Sequence, residues 1–221
     1  MSLSIRAAAF ALMLTWAAPG LTQKVPTETA VFAGGCFWCT EVDFDKVDGV
    51  VSTTSGYIGG KVDNPTYKQV VGGSTGHTEA VQVEFDPKRV SYKQLVNIFW
   101  RTIDPVDAGG QFCDRGDSYR TGIFTAGAEQ KQIADKSKQD LTASGRFKQP
   151  VATEVTADAK FFKAEDYHQD FYKKNPALAA IAKDEEARKQ AVPNWGEGNY
   201  YTFAEVKTYD MGKWNSVLEK A

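Results

Sequence analysis

The sequence predicts an α+β protein built on a mixed β-sheet. Short apolar and β-branched runs alternate along the chain with segments of helical period, so strands and helices are interleaved. At least one pair of neighbouring strands lacks a connection long enough for a helical crossover, which argues against a doubly wound parallel sheet. The roughly 200 residues after position 22 suffice for one well-cored domain and are too few for two.

The first strand is the apolar run 29–33, which ends at Gly34-Gly35. That glycine pair turns the chain and sets Cys36 in the first turn of a helix over 37–47, which stops before Gly49. A second strand over 50–58, β-branched and rich in Ser and Thr, closes at Gly59-Gly60. Asn64-Pro65-Thr66-Tyr67 opens a turn into a short helix. Residues 79–85 alternate with Val81, Val83 and Phe85 on one face, and Asp86-Pro87 ends that strand. Ser91 caps a helix over 92–102 whose Leu95, Ile98 and Phe99 face a core. A long loop, 104–118, precedes a strand over 119–125, a polar helix over 129–142, a strand over 151–155 and a helix over 165–174. Beyond Pro176 the chain is helix-like to Ala191, and 192–221 has no clear period.

A net charge of −2 gives no electrostatic footprint for nucleic acid or an anionic membrane surface. Residues 1–22 read as a secretory signal peptide: Arg6 precedes the apolar run 7–18, which is too short to span a bilayer core, and Ala17-Ala18-Pro19-Gly20 follows with cleavage expected near Gly20 or Thr22. The expectation is an exported protein, in a bacterial periplasm or comparable space, with no membrane attachment after processing. Residues 23–221 then form a single catalytic domain with a C-terminal extension from about 177.

Gly34-Gly35-Cys36-Phe37-Trp38-Cys39-Thr40-Glu41 is the segment that carries chemistry. At a helix N-terminus, unpaired N–H groups and the dipole favour a thiolate, and a cysteine pKa can fall below its usual value of about 8.5. Cys39 lies one turn on, on the same face. With Cys113 the chain has three cysteines, so one is left over whichever pair bonds. A purely structural bridge between Cys36 and Cys39 closes too few residues to restrict the unfolded chain much. His77 and His168 with the cysteines lack the spacing of a zinc site, and Thr40 stands where haem attachment after CxxC needs a histidine. Each histidine is expected to order its own neighbourhood by hydrogen bonding.

The segments GCFWCTE at 35–41, GYIGG at 56–60, NPTY at 64–67, TGHTEAV at 75–81, FDP at 85–87 and SYKQLVNIFW at 91–100 occur in one order, followed by DP at 104–105, GDSYR at 116–120 and AEDYHQDFYKKNP at 164–176. In that order and spacing the chain resembles the peptide methionine sulfoxide reductases of the A class, over about residues 29–176. The resemblance implies a two-layer α/β sandwich with a central mixed β-sheet and a ferredoxin-like core. It also implies thiol-dependent reduction of the S epimer of methionine sulfoxide, in peptides and proteins or free, with no cofactor and by a monomer.

By the family pattern Cys36 is the nucleophile and Glu79 the acid at the sulfoxide oxygen. Tyr67 and Tyr119 are the hydroxyls that hold that oxygen, Phe37 and Trp38 wall the methyl pocket, and Asp114 supports the site. For Glu79 to act as an acid near neutrality it must be buried. Cys36 becomes a sulfenic acid, which condenses with a second thiol, and thioredoxin or a similar dithiol resets the enzyme. Many members carry glycine at the Cys39 position and resolve through C-terminal cysteines, but this chain has none after Cys113. Recycling then uses Cys39 or Cys113, unless an external thiol attacks Cys36 directly; a one-turn CxxC at a helix start is a geometry that thiol–disulfide enzymes use, so Cys39 is the expected resolver and Cys113 the alternative. Two other functions fit fewer features: a general thiol–disulfide oxidoreductase using the CxxC pair, and a non-catalytic module that binds oxidised methionine.

Overall fold

The computed structural model describes residues 26–175, apart from positions 113 and 158. The leader, Cys113 and everything predicted beyond Pro176 lie outside the described residues.

Six strands form the main sheet. Four of them, β1 (Glu28–Gly34), β2 (Val50–Ile58), β3 (Thr78–Phe85) and β6 (Thr121–Thr125), stand in the order β6-β1-β3-β2 with every neighbouring pair antiparallel. Helix α1 (Phe37–Asp45) links β1 to β2, and α3 (Tyr92–Thr102) leads from β3 toward β6. This is the ferredoxin-like split β-α-β arrangement. The strands β2 and β3 are the pair without a full crossover helix, joined through the five-residue α2 (Tyr67–Val71). After β6, α4 (Ala128–Ala143) carries the chain to β7 (Glu154–Ala157), which pairs parallel to β6 and makes the sheet mixed. The two-residue β8 (Phe162–Lys163) closes the other edge against β2.

Strand alternation divides the sheet into two faces. Ala30 and Phe32 of β1, Val81, Val83 and Phe85 of β3 and Ile123 of β6 pack with Phe37 and Phe44 of α1 and Leu95, Val96 and Phe99 of α3. Phe32 is the centre of this core, its ring 4.8 Å from Phe44 and 5.1 Å from Phe99. Truncating it to alanine should cost about 3–5 kcal/mol. Ala33, Ile58, Ala80 and Phe124 form a smaller cluster on the opposite face. Ser91 caps α3 as its sequence predicts, in a reciprocal box: the Gln94 N–H donates to its hydroxyl at 3.3 Å while its own N–H donates to Gln94 at 2.7 Å.

Beyond shifts of a residue or two at element ends, the structure departs from the sequence expectation in these places. The loop 104–118 contains a small hairpin, β4 (Gly110–Gln111) with β5 (Asp114–Arg115), and a 3-10 turn at Asp117–Tyr119 that delays β6 to Thr121. The strand expected at 151–155 begins at Glu154, because the N–H groups of Ala152 and Thr153 are taken by the Pro105 carbonyl. Helix α1 ends at Asp45, short of 47. The largest correction is the helix expected over 165–174: only α5 (Phe171–Lys174) forms. Before it, Gln169 hydrogen-bonds both the N–H and the carbonyl of Ser55 on the β2 edge, each at 2.9 Å, and Asp170 takes a left-handed φ of 52°. Those tertiary bonds override the local helical preference. No helix among the described residues is long and apolar enough to cross a membrane.

Candidate active site

The turn from β1 into α1 sets the position of Cys36. Gly35 has φ +87°, and a Cβ there would lie 2.6 Å from the Gln111 side chain, so glycine is required on both counts. Gln111 is itself fixed, accepting from the Asp104 N–H at 2.8 Å and donating to the Asp104 carbonyl at 3.0 Å. Cys36 is the residue that caps α1, its carbonyl accepting from the N–H groups of Cys39 (3.1 Å) and Thr40 (3.2 Å). Its side chain and that of Cys39 are half-buried.

Glu79 follows the same alternation as Val81, Val83 and Phe85, so β3 points a carboxyl into the helix side of the core, where it is 1% exposed. Its Oε2 accepts the Phe37 N–H at 2.9 Å, and its Oε1 has no partner among the described residues. Burial pushes the carboxyl up to about 8, against the pull of the Phe37 N–H and helped by the nearby Asp114 charge. Glu79 therefore holds a proton near neutral pH.

The thiolate expected at Cys36 is not what this arrangement favours. Hydrogen bonding to Cys39, then burial, then the charges of Cys39 and Glu79 hold the Cys36 thiol well above its ordinary range. The first N–H of the helix serves Glu79 instead of sulfur. Thiol and carboxyl thus compete for negative charge, and a proton on Glu79 removes one obstacle to ionising Cys36.

Aromatic rings enclose the space beside these groups. Phe37 is buried, 6.0 Å from the half-buried Trp38 ring and 6.3 Å from Tyr67. The Tyr67 and Tyr119 hydroxyls are hydrogen-bonded to one another, and burial followed by the charge of Glu79 pushes both up. Half-buried Asp114, on β5, has its carboxyl raised by burial. The other side of the enclosure comes from residues 162–175. His168 lies 4.9 Å from Phe37 and 4.5 Å from Tyr67, and its Nδ1 accepts the Trp38 indole N–H at 3.2 Å. Burial lowers its pKa, so the ring is neutral with its proton on Nε2. Phe171 stacks on Trp38 with centroids 3.7 Å apart, and the Tyr172 hydroxyl is 3.4 Å from the Cys39 sulfur.

A family model for peptide methionine sulfoxide reductase matches residues 28–198. The chain belongs to the peptide methionine sulfoxide reductase family. It is 55% identical over 166 residues to the peptide methionine sulfoxide reductase MsrA of Ligilactobacillus salivarius, covering 74% of this chain and 96% of that one. With the MsrA of Streptococcus agalactiae the identity is 52% over 170 residues, covering 76% and 99%. Among solved structures, the chain is similar to reduced Mxr1 of Saccharomyces cerevisiae (TM-score 0.63, 32% identity, 68% of this chain and 86% of that one). It is also similar to methionine sulfoxide reductase A of Corynebacterium diphtheriae (TM-score 0.62, 35% identity, 71% and 78%). The chain is accordingly an oxidoreductase that reduces peptide methionine (S)-sulfoxide in a thiol-dependent reaction.

In this reductase the fold brings together Cys36, Cys39, Phe37, Trp38, Tyr67, Glu79, Asp114 and Tyr119, all singled out in the sequence. Sequence reasoning missed a supporting group. Glu165 accepts the Tyr57 hydroxyl at 2.7 Å and the Tyr67 N–H at 2.9 Å, fixing the start of the helix that carries Tyr67. Buried Glu41 accepts the Asp170 N–H at 3.2 Å and is pushed up to about 7 by burial. His168 was expected to order its own helix, but it braces Trp38. Its placement three after Glu165 was the only local signal. His77 does order its loop, accepting from the Gly60 N–H at 3.0 Å and bonding the Val62 carbonyl at 2.8 Å. Among the described residues no group of three or more His, Cys, Asp or Glu could hold a metal ion.

Proposed function

We propose that Cys36 attacks the sulfoxide sulfur while Glu79 gives its proton to the departing oxygen. The observation that carries this reading is the Glu79 carboxyl: one oxygen is held by the Phe37 N–H, the other is buried without a partner among the described residues, and the group stays protonated up to about pH 8. A protonated, buried carboxyl beside a sulfur nucleophile suits an oxygen that leaves well only when protonated. The Tyr67 and Tyr119 hydroxyls then donate to the same oxygen, stabilising charge as it develops. Phe37 and Trp38 receive the methyl group, and Asp114 holds the edge near Glu79 and Tyr119.

Methionine leaves and Cys36 remains as a sulfenic acid. Cys39, one helical turn on, attacks it to give a disulfide, which a thioredoxin-like dithiol reduces. The chain is exported by residues 1–22 and repairs oxidised methionine in the periplasm, a reading supported by Arg6 and the apolar run 7–18. The mass of the mature N-terminus from fractionated cells tests export.

Dithiothreitol-driven turnover of the separate S and R sulfoxides tests the chemistry. Only the S form should yield methionine, Cys36→Ser should be inactive and Glu79→Gln badly impaired. Repeating it with thioredoxin on Cys39→Ser and Cys113→Ser identifies the resolver as the indispensable cysteine. Reduction of protein disulfides in place of either sulfoxide would overturn the reading.

A further inference from the structure

Tyr172 lies outside the groups that touch the sulfoxide, yet its hydroxyl is 3.4 Å from the Cys39 sulfur. It is placed there by several independent contacts between α5 and α1. Phe171 is stacked on Trp38, the Asp170 N–H donates to Glu41, and Lys173 pairs with Asp45 at 2.8 Å. Cys39 is thus bracketed, hydrogen-bonded to Cys36 on one side and to Tyr172 on the other.

We propose that Tyr172 is a catalytic residue of the resolving step, holding and activating Cys39 for attack on oxidised Cys36. The inference rests on Cys39 being the resolver. In the thiol state either partner can donate, but once Cys39 loses its proton only the tyrosine O–H can. A donor on a thiolate makes a charge-assisted bond and favours the ionised sulfur, which is the form that attacks. The step balances within the site. The Cys39 sulfur forms the S–S bond, the Cys36 S–O bond breaks, and the Cys39 proton ends on the departing oxygen, so water leaves. Cys39 is oxidised and the Cys36 sulfenic sulfur reduced.

The contact also assigns the two cysteines different surroundings. Both sulfurs lie near each other and feel the Glu79 charge, but it is Cys39 that has the Tyr172 hydroxyl within hydrogen-bonding distance. That difference suits a pair in which one sulfur takes oxygen from substrate and the other must attack the product of that event.

Single-turnover reaction of Tyr172→Phe with methionine S-sulfoxide tests this. Methionine release and Cys36–Cys39 disulfide formation are followed together, the latter by alkylation and mass analysis, with a sulfenic-acid trap in a parallel sample. The rate of disulfide formation relative to methionine release should fall about tenfold, the sulfenic acid should be trapped in larger yield, and the pH at which the disulfide rate is half-maximal should move up. An unchanged ratio with an unchanged pH profile overturns the proposal, and because both rates come from one sample, partial misfolding cannot mimic the effect. Cys39→Ser separates the two ideas. If it still forms a Cys36 disulfide at the unaltered rate, the resolver assignment fails. If it forms none while Tyr172→Phe is normal, only the role of Tyr172 fails.

Discussion

Cys36 lies between two walls of opposite construction. The first rises from regular structure: Glu79 on β3, Tyr57 opposite it on β2, and Phe37 at the head of α1. The second is the irregular strap 162–175, contributing Glu165, His168, Phe171 and Tyr172. The sheet wall holds a carboxyl in the core and so decides where protons reside. The strap holds rings and hydroxyls in place and so decides shape. Rigid elements can keep a costly buried acid, because the surrounding core is already fixed, while a strap can adjust to what the pocket must admit.

The sharpest way to break the distinction is Glu79→Gln. It should lower the rate of sulfoxide reduction by about 10²–10⁴-fold while leaving the fold intact, measured in single turnover. A loss smaller than tenfold would mean that the sheet wall does not supply the proton.

The next largest effect is on pH. With a carboxyl near 8 and the Cys36 thiol held higher still, acid and thiolate coexist only as a minor form, so kcat/KM should rise about tenfold per unit up to about pH 8, level off, and fall only where Cys36 itself ionises. The same burial has a stability signature. Glu79 and Glu41 have folded values, about 8 and about 7, above their unfolded one of about 4.3. Their contribution to stability is complete below the unfolded value and is lost as pH rises through the folded ones. Denaturant melts from pH 4 to 9 should show this decline, and Glu79→Gln should flatten it.

Strap variants should act differently. Phe171→Ala removes the stack on Trp38 and should raise KM about three- to tenfold with a smaller change in kcat. An equal fall in kcat would assign the strap to chemistry instead of shape. The smallest effect is expected for Glu165→Gln, which can keep only one of two accepted bonds and should cost about 1 kcal/mol in thermal or denaturant unfolding.

The two walls were also unequally legible. Alternation in 79–85 located β3, and the glycine pair located the head of α1, because those signals lie within a few residues of what they determine. Alternation also implied the inward face for position 79, yet a glutamate there reads as a solvated residue until the family pattern is applied. The strap offered a helical pattern over 165–174, and most of it is not helical. Its partners Ser55, Glu41 and Cys39 lie 114, 129 and 133 positions away, and no local window contains them. The raised Cys36 thiol was missed for a related reason. A helix start alone suggests a thiolate, but it was β3 that brought a carboxyl to take the first N–H.

The span of 133 residues between Cys39 and Tyr172 has a consequence for assembly. Contacts so distant in sequence form late, since the intervening chain must be ordered before the closure is rewarded. The cysteine pair leaves the ribosome with the first helix, whereas its cover is made near the end of the domain. During refolding, a pulse of alkylating reagent should therefore label Cys39 well after the β1–β3 amides have become protected from exchange. Catalytic competence should be the last property the chain acquires.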